Sequence, residues 1–261
     1  MKKTYLIFSM ISILSFTQSI FAQNNLESFS RLSQAIFENL MFSNRVVRDY
    51  VFIISNNFKE KSIKDMDNTL GRFDYNMDII SGYLPDDKKL KDRFTKFRFY
   101  VNQSRLELMD FENPNYESFI RNLQQTFDEN KVMADKIFEK QLGYKENKKV
   151  VEKLKLLSEV VNATERMVID YMLIKDPKRT SKAKLEFDVK KQLKKLNSLL
   201  KIKNLPPQSK ALLIDMKENL KLMDELVEKP DYRPKMMFAY VNNFSSKAFR
   251  FLPDLISLYK N

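Results

Sequence analysis

Two stretches of the sequence set a guanidinium beside a hydroxyl and a phenol at helical spacing. Ser43, Arg45 and Tyr50 do so in the first half, and Thr164, Arg166 and Tyr171 in the second. An arginine fork holds a planar anion through paired N–H donors, and hydroxyls on the same helix add further donors. Asp49 and Asp170 lie four residues beyond each arginine, the spacing of a helix-surface ion pair that contributes roughly 0.3–0.5 kcal/mol. Ser43 and Thr164 can also turn their hydroxyls onto their own helix backbone. Arg45 stands two residues from Ser43 and therefore points away from its unit's core stripe. It faces either solvent or a second first helix packed alongside. Anion site and surface pair are both open at this point.

Other chemistry has few tools. The chain has no His and no Cys, which removes Ser-His and Cys-His nucleophiles, thiolate metal sites and imidazole ligands. Gly71, Gly82 and Gly143 are the three glycines, too few and too scattered for a phosphate-cradling loop. Carboxylates are plentiful, yet none stands out as a pair in an apolar setting that would split their pKa values. We therefore expect no catalytic residues, no metal and no cofactor: a protein that is not an enzyme.

The elements that must position these residues are helices. Ile63, Met66, Leu70, Phe73, Met77 and Ile80 recur at spacings of three and four. So do Leu90, Phe94, Phe97, Val101, Ser104, Leu108 and Phe111, and again Val150, Leu154, Leu157, Val161, Thr164, Val168 and Tyr171. Such spacing puts each set on one helix face, as in helical bundles. Most prolines fall between stripes, and Pro253 alone interrupts one, predicting a kink or an end there. The pattern predicts helices near 26–56, 61–82, 86–111, 116–142, 146–175, 180–202, 207–228 and 235–259. Phe94 and Phe97 belong to the core, while Phe99 and Tyr100 must face elsewhere, the neighbouring unit or a partner, with packing between units the expected use.

The chain repeats itself. Arg45-Val46-Val47-Arg48-Asp49-Tyr50 lines up with Arg166-Met167-Val168-Ile169-Asp170-Tyr171 at an offset of 121. Leu84-Pro85 with Lys89 lines up with Leu205-Pro206 and Lys210 at the same offset, as does Asn122-Leu123 with Asn243-Phe244. Glu112-Asn113-Pro114-Asn115-Tyr116 matches Glu228-Lys229-Pro230-Asp231-Tyr232 at 116. Long-period similarity decides architecture before any motif does. It predicts an all-α fold of eight helices in two tandem antiparallel four-helix-bundle units, 26–143 and 146–261, joined at Gly143-Tyr144.

Residues 1–22 read as a signal peptide, with Lys2 and Lys3 ahead of the apolar run Tyr5–Phe16 and Ala22 at the cleavage position. Without a later apolar stretch of membrane length, the mature chain is expected to be soluble and periplasmic. The formal charge is +12, and removing the two leader lysines leaves +10. An exported chain meets little nucleic acid, so anionic membrane surfaces or small anions are the expected counterparts of this charge, beside a simply solubilising lysine surface.

The first helix of each unit, Asn39–Tyr50 and Val161-Asn162-Ala163-Thr164-Glu165-Arg166-Met167 through Leu173, resembles the N-terminal sensing domain of type IV pili methyl-accepting chemotaxis transducers (PilJ-type). That domain is related to nitrate/nitrite sensor kinase input domains. Phe73-Asp74 before Gly82, the Leu84-Pro85-Asp86 turn and Asn122-Leu123 have counterparts in the family, so the likeness extends over nearly the whole mature chain. The motif's glycine is absent from both units, replaced by Phe42 or Ser43 and by Thr164, and Tyr171 or a neighbour takes the place of its second arginine. In the sensor kinases an arginine at the position of Arg45 and Arg166 helps bind nitrate between the first helices of a dimer. The resemblance implies a periplasmic ligand-binding protein for a small anion or metabolite, working with a membrane chemoreceptor and able to form a homodimer. The competing expectation is a scaffold binding another cell-envelope protein with no small ligand.

Overall fold

The computed structural model describes residues 2–55, 59–84, 86–108, 129, 131–137, 144–175, 188–229, 231 and 233–258. For 2–26, 100–101, 104–108 and 144–146 it gives the backbone course alone. The fold is all-α, and no strand occurs among the described residues. The helices are α1 (Lys2–Ile54), α2 (Lys59–Gly82) and α3 (Lys88–Leu108), then α5 (Tyr144–Lys175), α6 (Val189–Leu200), α7 (Pro207–Glu228) and α8 (Pro234–Ile256). The helical stretch 131–137 lies between α3 and α5 and is labelled α4.

Local chemistry sets the helix ends. Asp188 caps α6 by accepting from the Lys191 backbone N–H at 3.0 Å, and this helix begins at Val189. Residues 180–187 lie outside the described residues. Pro207 and Pro234 occupy the first turns of α7 and α8, where a missing N–H costs nothing. Asp87 accepts from the Leu90 N–H at 3.1 Å as α3 opens. Pro253 does not end α8, which continues to Ile256. The bond a proline removes lies in the last turn, and the Ser257 N–H closes onto the Pro253 carbonyl at 2.9 Å. The expected helix over 116–142 is seen only at 129 and 131–137, and the expected joint residue Gly143 lies outside the described residues. So do the repeat anchors Glu112–Tyr116, Asn122-Leu123, Pro230 and Tyr232.

The second half closes as an antiparallel ring. Lys195 meets Glu159 at 2.8 Å and Lys153 meets Ser198 at 3.1 Å, tying α6 to α5. The hairpin at 201–206 brings α7 back beside α6. Asn243 donates to Asn219 at 3.2 Å and Ser209 to Asp254 at 2.5 Å, tying α8 to α7. Tyr171 Oη accepts from the Arg233 N–H at 2.9 Å, returning α8 to α5. In the first half, α2 runs antiparallel to α1 along Glu38, Arg72 and Asn76, and α3 returns beside α2 where Phe73 and Phe97 stack 5.6 Å apart.

The two halves share one hydrophobic core. α1 and α5 lie side by side, and α8 packs across onto α1, with Phe52 against Phe238 at 4.6 Å and Phe42 against Phe249 at 4.9 Å. Between Leu32 and Ile53 nearly every residue of α1 is buried, whichever face it lies on. A helix apolar on all sides is a central helix. Phe94 and Phe97 are buried as expected, whereas Phe99 is 58% exposed on the surface of α3. The Tyr100 side chain lies outside the described residues.

Candidate functional site

Polar groups meet where the two central helices touch. Asn162 Nδ2 donates to the Leu40 carbonyl on α1 at 2.7 Å and to the Ser158 carbonyl on its own helix at 2.8 Å. Asn44 Nδ2 donates back to Asn162 Oδ1 at 3.1 Å. One turn further on, Arg48 Nη1 donates to both oxygens of Glu165, at 3.1 and 2.9 Å. The contact thus advances from Asn44 to Arg48 along α1 while it advances from Asn162 to Glu165 along α5. The helices therefore run parallel and in register.

Arg48, Asp49 and Glu165 are all 0% exposed. Arg48 Nε and Nη2 donate to Asp49 Oδ1 at 3.0 and 2.6 Å, and Ser245 of α8 donates to Glu165 Oε1 at 2.5 Å. Asp49 Oδ2 is buried with no hydrogen-bond partner among the described residues. The Arg48 guanidinium also lies over the Phe238 ring at 5.6 Å. Three helices thus enclose one cation and two carboxylates, none of them accessible to solvent. Charges removed from solvent this way hold together only because each is matched by its neighbours.

The electrostatics follow. Burial pushes the Asp49 carboxyl up to about 6, against the downward pull of Arg48 and Arg45. Burial opposes the charge on Arg48, but Asp49 and Glu165 outweigh it and hold this guanidinium above its usual range. Arg45 goes the other way, lowered first by burial and then by the like charge of Arg48. A separate polar group joins α1 to α2: Glu38 accepts from Arg72 Nε at 2.9 Å, Asn76 at 3.0 Å and Gln34 at 2.9 Å. Burial opposes the Glu38 charge, yet these donors hold its carboxyl below the ordinary range.

The residues singled out from the sequence divide. Ser43 Oγ donates to the Asn39 carbonyl at 3.0 Å and Thr164 Oγ1 to the Val160 carbonyl at 2.8 Å. Both hydroxyls are taken up by their own helices. Tyr50 and Tyr171 are buried, and Tyr171 Oη receives a backbone N–H from the start of α8. Arg166 forms the expected pair with Asp170 at 3.1 Å. The corresponding pair at Arg45 does not form on the surface, because Asp49 is fully buried and engaged by Arg48. Arg45 instead lies over the Phe249 ring at 5.6 Å with its Nε buried and unpartnered. It sits at the junction of α1 and α8. The six residues do not converge on a single pocket.

Sequence reasoning missed Arg48 and Glu165. The signal was present in the repeat: at the offset of 121, Arg48 stands where the other copy has Ile169, and Glu165 where the other copy has Asn44. Opposite charges at positions where the other copy is uncharged mark a contact between copies. The expectation that no carboxylates share an apolar setting is corrected by Asp49 and Glu165.

A shallow cleft between α1, α4 and α5 is floored by Phe37, Leu40 and Ala134 and rimmed by Lys131, Ser158 and Glu159, with the Lys155–Asp135 ion pair across it. Neither Arg45 nor Arg166 lines it. Among the described residues no group of three or more acidic side chains is placed to share a metal ion, and no helix is long and apolar enough to cross a membrane. Comparison with family models, with curated proteins and with solved structures finds no match.

Proposed function

We propose that this chain is an exported, non-enzymatic, sensor-like binding protein of the PilJ-type kind, which takes a small planar anion beside Arg45 and acts through a membrane receptor. The observation that supports this reading is the parallel pairing of α1 and α5, which juxtaposes inside one chain the two first helices that such sensors bring together from two subunits. Arg45 adds to it: a half-buried guanidinium beside this pair, at the junction of α1 and α8, without an ion pair among the described residues. Nitrate, nitrite or a related carboxylate fits the paired N–H donors such a group offers.

Titration calorimetry or thermal shift with nitrate, nitrite and acetate tests it. Saturable stabilisation is expected, abolished by Arg45→Ala and retained in Arg166→Ala, whose guanidinium already serves Asp170. A flat response to all three anions would overturn the anion reading. The second reading, a scaffold that binds another envelope protein without a small ligand, is favoured by one observation: Ser43 and Thr164 have no hydroxyl donor left for a ligand.

A further inference from the structure

We infer that Arg45 takes its anion together with a proton, which comes from solvent and is held on Asp49, inside the buried Asp49–Arg48–Glu165 group, for as long as the anion is bound. This is a regulation of the site proposed above and rests on that reading.

Charge matching inside the buried group is incomplete. Asp49 and Glu165 are both 0% exposed, and among the described residues Arg48 is the one cation hydrogen-bonded to them. One guanidinium between two carboxylates leaves a negative charge over. Such a charge, sealed from water, is held at large cost until a further cation or a proton balances it. The two oxygens of Asp49 show where a proton goes. Oδ1 accepts from Arg48 Nε and Nη2 at 3.0 and 2.6 Å, whereas Oδ2 is buried without a hydrogen-bond partner among the described residues. Burial raises the Asp49 carboxyl to about 6, and the charge of Glu165 acts in the same direction.

Arg45 is the further cation in reach. It stands one helical turn before Asp49 on α1, and after Arg48 its charge does most to favour the ionised carboxyl. Arg45 Nε and Asp49 Oδ2 are both buried and both lack a hydrogen-bond partner among the described residues, so the two residues act on each other through charge and not through a bond. Arg45 keeps part of its surface in solvent, where an anion can meet it while Asp49 stays sealed.

The other elements packed here complete the charge. α2 brings Asp65, which acts on both arginines, and Lys61, which lies 5.2 Å from the centre of the Phe238 ring. α5 brings Glu165, while its Arg166 is paired with Asp170. α8 brings Phe238, Phe249 and the Ser245 hydroxyl, and its Lys247 is taken by Asp215 at 3.3 Å. Arg45 is therefore the cation whose commitment an external anion changes.

An anion on Arg45 offsets the charge that balances Asp49 and adds a like charge nearby. The ionised carboxylate loses support, and a proton from solvent binds at Oδ2. By reciprocity the protonated protein binds the anion more tightly, by the same factor. Where the bound anion moves the Asp49 titration upward by one pH unit, affinity is about tenfold higher on the acid side of that range than on the alkaline side.

Titration calorimetry of the full chain with nitrate, an anion that stays ionised throughout, tests this near pH 5 and near pH 8. A further titration at about pH 6.5, in two buffers of different ionisation heat, reads the protons taken up. Tighter binding in acid is expected, with net proton uptake seen as a buffer-dependent heat. Asp49→Asn fixes this position in a neutral form. It should bind nitrate near pH 8 as tightly as the parent does near pH 5, with no uptake. Glu165→Gln matches one cation to one carboxylate and should bind with much less uptake, which keeps the test open where Asp49→Asn fails to fold. Equal affinity at both pH values without proton uptake overturns the coupling and leaves the anion reading standing. Acid-favoured binding that persists unchanged in both variants overturns it too, since the proton then sits elsewhere. Absence of saturable binding by the parent at either pH overturns the anion reading, and this inference with it.

Discussion

Replacing Arg48 by Met keeps most of the side-chain volume and removes the cation that Asp49 and Glu165 share. Both carboxylates are 0% exposed, so water cannot take the place of the guanidinium without opening the contact between α1, α5 and α8. Ser245 and the more distant Arg45 are the remaining partners of this group. Removing one member of a buried ion pair costs about 3–5 kcal/mol, a large share of the 5–15 kcal/mol by which a domain is normally stable. Urea unfolding followed by far-ultraviolet circular dichroism at neutral pH should show a loss of that size. The loss should shrink on acidification, because protonating the two stranded carboxylates removes the charges that lack a partner. In the variant Arg48→Met/Asp49→Asn/Glu165→Met most of the stability should return, since apolar replacement of a whole buried ionic group is neutral or favourable. A loss below about 1 kcal/mol for Arg48→Met alone is the cost of a wet surface pair. It would refute the claim that these charges are sealed between the two repeats.

Asp49→Asn should alter the pH dependence of stability. The folded-state pKa of about 6 lies above the ordinary 3.8, so the folded protein holds this proton more tightly than the unfolded chain. The Asp49 contribution is fully present below pH 3.8 and is lost as pH rises through 6, a change of about 3 kcal/mol. Stability measured across that window should fall with rising pH in the parent and lose that component in Asp49→Asn. Asn162→Ala leaves the Leu40 carbonyl without its cross-helix donor and Asn44 with the residue-162 backbone carbonyl alone, and should cost about 1–3 kcal/mol in the same unfolding assay. Arg166→Ala removes a part-exposed helix pair and should stay within about 0.5 kcal/mol of the parent.

The helices were legible because apolar spacing and prolines speak locally. Leu154, Leu157, Val161, Thr164, Val168 and Tyr171 are buried as the stripe requires, and α7 runs over the predicted 207–228. What a stripe does not reveal is burial on the opposite face. Val46 and Val47 were merely hydrophobic on paper, and their burial on neighbouring faces of α1 is what gives away the central helix. The site was less legible still. Asp49 read as a surface partner of Arg45 because i and i+4 are neighbours on any isolated helix. Arg48, held by Glu165 from 117 positions further along the chain, takes Asp49 instead. Nothing local distinguishes Arg48 from Arg45, and only the comparison of one copy with the other marks Arg48 as unusual.

The parallel pairing of α1 with α5 has a consequence for how the chain is made. α1 is complete long before its neighbours α5 and α8 leave the ribosome, and until they arrive its side chains from Leu32 to Ile53 have no full set of contacts. Loop closure over so many residues makes such a contact slow to form, and sticky intermediates gain time to associate. A polypeptide ending near residue 140 is therefore half of a structure that cannot close, because α5 and α8, which cover α1, are missing. The two halves therefore depend on one another, so that an early stop codon or a cut in the middle of the chain leaves the Leu32–Ile53 faces of α1 without α5 and α8.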